Sequence, residues 1–150
     1  MPTKTTDKVF SKEERAAIAE SAKERKASSK LGPAELRVQG EKDLLAAIAK
    51  MPPDEQAMAE RLHALVASAA PTLTPKTYYG MPSWATEGKD GKVICFFQNK
   101  SKFKVRYSTF GFQPEAAIDD GDMWPVAFAV TRLTPGVEAR IVDLLKKAAG

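Results

Sequence analysis

Four carboxylates, Glu115, Asp119, Asp120 and Asp122, gather within one short stretch. Clusters of carboxylate oxygens are what hard cations such as magnesium, calcium or iron prefer. Gly121 makes Asp120-Gly121-Asp122 equally readable as an ordinary turn, and no Glu stands at the twelfth position of a calcium loop counted from Asp119. A second group is cationic. Lys100, Lys102, Lys104 and Arg106 alternate with Ser101, Phe103, Val105 and Tyr107, so a strand here sets four cations on one face and suits an anion. The plainer reading of that stripe is a sheet edge that lysines protect from aggregation. Tyr78, Tyr79, Met81, Trp84 and Trp124 form a third group, of the kind that lines a small-molecule pocket, although aromatics at strand spacing more often build a core.

Catalysis has less to work with. His63 is the only histidine, which excludes a histidine metal cluster; it borders the apolar positions Leu62 and Val66, and spacing supplies no partner nucleophile. Cys95, the single cysteine, lies in the apolar run Val93-Ile94-Cys95-Phe96-Phe97, so no intramolecular disulfide forms and a buried thiol in a reducing compartment is expected. No phosphate-cradling glycine loop is present.

The elements that must position these residues follow from period and punctuation. Ser11-Lys12-Glu13-Glu14 is a capping box and predicts a helix to about residue 27, with Ile18 its only large apolar residue. Ser28-Ser29, Gly32-Pro33 and Gly40 read as a linker. Leu44, Leu45, Ile48 and Met51 then mark a short helix ending before Pro52. Pro53 opens another, with Asp54 and Glu55 at its positive end and Met58, Leu62, Leu65 and Val66 on one stripe; the two make a hairpin. Beyond Pro71 the period becomes alternating, and strands are predicted near 78–79, 83–86, 92–98, 103–108 and 124–131, with Asp90-Gly91 as a hairpin turn. The run 93–97 is apolar on both faces and reads as a central strand, while Pro125 sends its strand to an edge. Thr134-Pro135 opens a last helix bearing Val137, Ile141, Leu144, Leu145 and Ala148.

At 150 residues the chain can bury a core without metal or disulfide. Its net charge of +4 is uneven: residues 1–40 hold nine Lys or Arg against six Asp or Glu, and residues 41–150 hold fourteen against thirteen. A nearly neutral body with a mildly basic arm argues against nucleic acid as the partner, which needs a dense basic face. The first eight residues lack the apolar core of a signal peptide and no later stretch could span a bilayer, which predicts a cytoplasmic protein with no membrane partner.

Tyr78-Tyr79-Gly80-Met81-Pro82-Ser83-Trp84, followed by a Gly-containing turn, the 93–97 run and Lys102-Phe103-Lys104, resembles the YdhG-like family of bacterial domains. Residues 72–76, Met123-Trp124-Pro125 and the last helix fit as well, so the resemblance covers about residues 41–150. It implies helices paired with an antiparallel sheet. Some relatives are described as frataxin-like iron chaperones, which implies an intracellular iron carrier whose ligands here would be Glu115, Asp119, Asp120 and Asp122. No catalytic residues come with the resemblance. Gly80 and Pro82 also have a structural explanation, since Gly80 permits a backbone closed to other residues and Pro82 restricts the next step.

The expectation is therefore an α+β domain at 41–150, a helical hairpin and C-terminal helix packed on a mainly antiparallel sheet, behind a charged helical arm and linker at 1–40. Its predicted role is a non-enzymatic binding or carrier domain for iron or a small molecule. The alternative is an anion or nucleic-acid binding module using Lys100, Lys102, Lys104 and Arg106.

Overall fold

The spacing of Ser11 and Glu14 produces the reciprocal cap it predicts. Ser11 Oγ accepts from the Glu14 N–H at 3.0 Å, and Glu14 Oε1 accepts from the Ser11 N–H at 2.9 Å. In the computed structural model, which describes residues 10–28 and 31–149, this cap opens α1, Lys12–Ser28. Residues 1–9, on which the signal-peptide expectation falls, and Ser29 of the expected linker lie outside the described residues. The large side chain of α1, Ile18, stays exposed, while the small Ala17 and Ser21 are buried.

The second helix corrects the expected linker. α2 spans Pro33–Ala49, with Pro33 in its first turn, and runs without interruption through Gly40. Gly40 is buried where α2 crosses the sheet, and a Cβ there would run into the carbonyl oxygen of Pro75. The glycine marks a close approach of two backbones and not a break. Leu44 and Ile48 face the core, whereas Leu45, one position round the helix, is 46% exposed. α3, Pro53–Ala69, starts on Pro53 as expected and buries Ala59, Leu62, Leu65 and Val66.

Five strands follow: β1 Thr74–Tyr78, β2 Met81–Ala85, β3 Val93–Gln98, β4 Ser108–Phe112 and β5 Ala127–Val130. They form an antiparallel meander in sequence order, with β3 central and β5 at an edge just after Pro125. The β1–β2 connection is the two-residue turn Tyr79-Gly80, with φ of 53° and 78°. Positive φ at both central residues is the type I′ geometry that matches strand twist. The β2–β3 hairpin contains Asp90-Gly91 in its loop, closed by Thr86 Oγ1 accepting from the Lys92 N–H at 2.7 Å. The strand expected at 103–108 is absent: a single 3₁₀ turn, Lys100–Lys102, and irregular chain lead into β4. α4, Pro135–Ala148, is capped by Thr134 Oγ1 accepting from the Val137 N–H at 3.2 Å.

α2, α3 and α4 cover one sheet face. Leu44 and Ile48, Leu62 and Val66, and Ile141 and Leu145 close on Trp84, Cys95, Phe97, Phe110 and Phe112 in one apolar core. Cross-strand pairing of Trp84 with Cys95 and of Cys95 with Phe112 puts these side chains on the same face. The fold is α+β. No helix among the described residues is long and apolar enough to cross a membrane.

Candidate functional site

The loop after β3 is shaped by a buried charge. Glu55 in the first turn of α3 is 3% exposed, and its carboxylate accepts from Asn99 Nδ2 at 2.8 Å, the Ser101 N–H at 3.0 Å and Ser101 Oγ at 2.6 Å. Burial pushes this carboxyl up, but the bonds from the Ser101 and Asn99 side chains and the Ser101 N–H outweigh it and hold the group below its ordinary value. These bonds, with the Lys100 N–H donating to Ser108 Oγ at 3.0 Å and Lys104 at a φ of 56°, curl the chain away from strand geometry. The cationic stripe expected on one strand face is consequently dispersed. Lys100 pairs with Asp54 at 3.4 Å, Lys104 pairs with Glu13 at 3.2 Å, and Arg106 lies over the Tyr107 ring.

Lys102 goes elsewhere. The curl directs its ammonium to the Tyr79-Gly80 turn, where a Cβ on Gly80 would lie 3.0 Å from Lys102 Nζ. Burial pulls this ammonium below its ordinary value against the support of Glu20 and Glu24, with Lys50 adding to the decrease. At the same turn, Glu24 of α1 accepts from the Tyr79 N–H through Oε1 and from the Gly80 N–H through Oε2, both at 3.0 Å. Two successive backbone donors thus hold one carboxylate, and a half-buried ammonium stands at the same turn within electrostatic reach of Glu20 and Glu24. Gly80, Glu24 and Lys102 stand on the wall of a cleft of about 830 Å³ between α1 and α2, whose lining also includes Lys23, Lys50, Glu20, Asp43, Met51, Thr77 and Ser101.

The other expected sites are not assembled. Glu115, Asp119, Asp120 and Asp122 are all exposed, while the intervening Ala116 and Ile118 are buried and anchor the loop. Among the described residues no three His, Cys, Asp or Glu side chains come together to hold a metal. Of the aromatic group, Trp84 is 1% exposed and Met81 5%, both within the interior, and Trp124 packs against the core. Tyr78 and Tyr79 make an edge contact at 4.6 Å, with Tyr78 next to Phe96. None of the five lines the cleft, nor the smaller cavity of about 60 Å³ beside Gly40. Cys95 is fully buried, as expected, and burial pushes its thiol up.

His63 has a structural partner at each ring nitrogen. Trp84 Nε1–H donates to His63 Nδ1 at 3.2 Å, and an indole nitrogen can only donate, so Nδ1 carries no proton. The opposite ring nitrogen lies 2.7 Å from Glu41 Oε2, to which its N–H donates. Both ring nitrogens are therefore engaged, Nδ1 by the buried tryptophan and Nε2 by Glu41.

Sequence reasoning missed Glu24 and Glu55. Ala17, Ser21 and Glu24 recur at i, i+4 and i+7, a docking stripe made of small residues that a search for large apolar ones passes over. Glu55 carries no local mark that separates an anchor from an ordinary first-turn acid. Comparison of the chain with family models, curated proteins and solved structures finds no match.

Proposed function

We propose that this chain is a non-catalytic binding domain for a small anionic molecule, held in the cleft between α1, α2 and the Tyr79-Gly80 turn. The observation that carries this reading is the pair of adjacent N–H groups, Tyr79 and Gly80, that bind one carboxylate, with the half-buried Lys102 ammonium beside the same turn. Backbone donors held by a rigid hairpin recognise an oxyanion without paying side-chain ordering. The dispersal of Lys100, Lys104 and Arg106 disfavours the nucleic-acid alternative, since a phosphate backbone calls for several aligned cations. The iron-carrier role implied by the YdhG-like resemblance gains no support from the exposed, dispersed carboxylates at 115–122.

The test is a titration of the ¹⁵N-labelled full chain with small mono- and dicarboxylates, inorganic phosphate, a short oligonucleotide and ferrous iron under anaerobic conditions. Small anions are expected to shift the amides of Thr77, Ser101 and Lys102. Lys102→Gln should weaken that binding by about tenfold or more, the scale of a charge-assisted hydrogen bond. Shifts confined to residues 115–122 on adding iron, or an oligonucleotide response with steep salt dependence, would overturn the assignment.

A further inference from the structure

The Tyr79 and Gly80 amides pose a question that the hairpin itself leaves open. In a two-residue turn the strand ladder uses the donors of the flanking pair, here Tyr78 and Met81, and the two central N–H groups point outward. They need an acceptor from beyond the turn. Glu24 provides it with one oxygen for each donor, a planar two-oxygen fit.

Glu24 is unusually placed for a helix side chain. It stands close to the C-terminal end of α1, where Arg25 and Lys26 complement the helix dipole and a carboxylate does not. Among the described residues the other contacts of α1 with the body are small: Ala17 and Ser21 are small side chains, the Glu20 stem lies along Gly80, Phe10 and Ile18 remain exposed, and the Glu13–Lys104 pair lies at the surface. A side chain that satisfies a prepared pair of donors, from an element weakly held elsewhere, next to a roomy cleft, behaves as a tethered ligand.

We infer that the Tyr79 and Gly80 amides together with Lys102 form a carboxylate-binding site whose resident occupant is Glu24, so that a free carboxylic acid enters by displacing this side chain and loosening α1. The inference deepens the reading above and rests on it. The ligand class is a small carboxylate whose remainder lies along the cleft beside Met51 and Pro52, with Lys50 at its margin. Ligand binding and release of the arm are then two descriptions of one equilibrium.

Sodium acetate and inorganic phosphate, titrated into full-length wild type, Glu24→Ala and Glu24→Gln under ¹⁵N NMR, test this. Acetate should shift the Tyr79 and Gly80 amides at about tenfold lower concentration in Glu24→Ala than in wild type, because the internal competitor is gone. Glu24→Gln, which keeps an oxygen acceptor but loses the charge, should fall between them, and adding Lys102→Gln to Glu24→Ala should abolish the gain. In wild type, acetate should also speed amide exchange in α1. If cleft amides respond equally in wild type and Glu24→Ala, the resident-ligand inference is overturned while the anion-binding reading stands. If no cleft amide responds in any variant, both fall. Phosphate binding at the turn more tightly than acetate would overturn the carboxylate class.

Discussion

Glu55 carries a negative charge into the interior, and the three donors around it decide both the path of the following loop and a pH dependence. Its carboxyl is held below its ordinary value in the folded chain, so its stabilising contribution is complete above the unfolded value of about 4.3 and is lost as pH falls through the folded value. Glu55→Gln replaces an acceptor by an amide whose N–H groups oppose Asn99 and Ser101. It should cost about 1–3 kcal/mol at pH 7, since a buried donor loses its partner. Urea unfolding at pH 7 and at successively lower pH should show the gap between wild type and variant narrowing through and below the carboxylate range. A gap that stays constant on acidification would mean that Glu55 is not charged in the native state. His63 illustrates a quieter form of the same rule: its ring is hydrogen-bonded at both nitrogens, to the Trp84 indole and to Glu41, which gives a lone histidine beside the core a structural reason.

At the level of elements, α2 owes its position to one missing side chain. Gly40 in mid-helix costs up to about 1 kcal/mol of helix propensity relative to Ala, yet it lets α2 lie on the β1 backbone at Pro75. The two effects have opposite signs, so Gly40→Ala discriminates between them. If Gly40 were merely a tolerated helix residue, Ala would stabilise. The close approach instead predicts a loss of about 1–3 kcal/mol, the usual range for forcing extra atoms into a packed interface, read as a lowered Tm in thermal unfolding. α1 makes the complementary use of small residues. Its buried Ala17 and Ser21 allow it to come close enough for Glu24 to reach the hairpin turn, although its pattern lacks the large apolar residues of an ordinary core helix.

For the molecule as a whole, the core joins α2, α3, α4 and the sheet, and none of the described side chains of α1 belongs to it. A cut at residue 40 would divide α2, so the arm that can be removed ends before Pro33. A chain lacking residues 1–30 should fold cooperatively, with the amides of Tyr79 and Gly80 exchanging faster than in the full chain because their shared acceptor is gone. Within the full chain, amides of Lys12–Ser28 should exchange faster than those of Val93–Gln98. Hydrogen exchange followed by NMR reads both. An unfolded truncation, or an α1 as protected as β3, would make the arm part of the cooperative core.

By itself the sequence determined the local events: the Ser11–Glu14 cap, the helix starts at Pro53 and Thr134-Pro135, the hairpin around Asp90-Gly91, the central place of the 93–97 run and the burial of Cys95. Each depends on side chains and backbone preferences within a few residues, and such preferences are written in spacing. Only the tertiary structure decided that residues 33–40 continue a helix, that residues 100–107 leave strand geometry despite perfect alternation, and that Lys102 parts from its neighbours. The deciding contacts are distant in the chain: Glu55 and Ser101 are 46 residues apart, and Glu24 and Tyr79 are 55 apart. An acid on a helix has the same local surroundings whether it meets water or a pair of backbone amides, so the partner that gives it a role is fixed by packing alone.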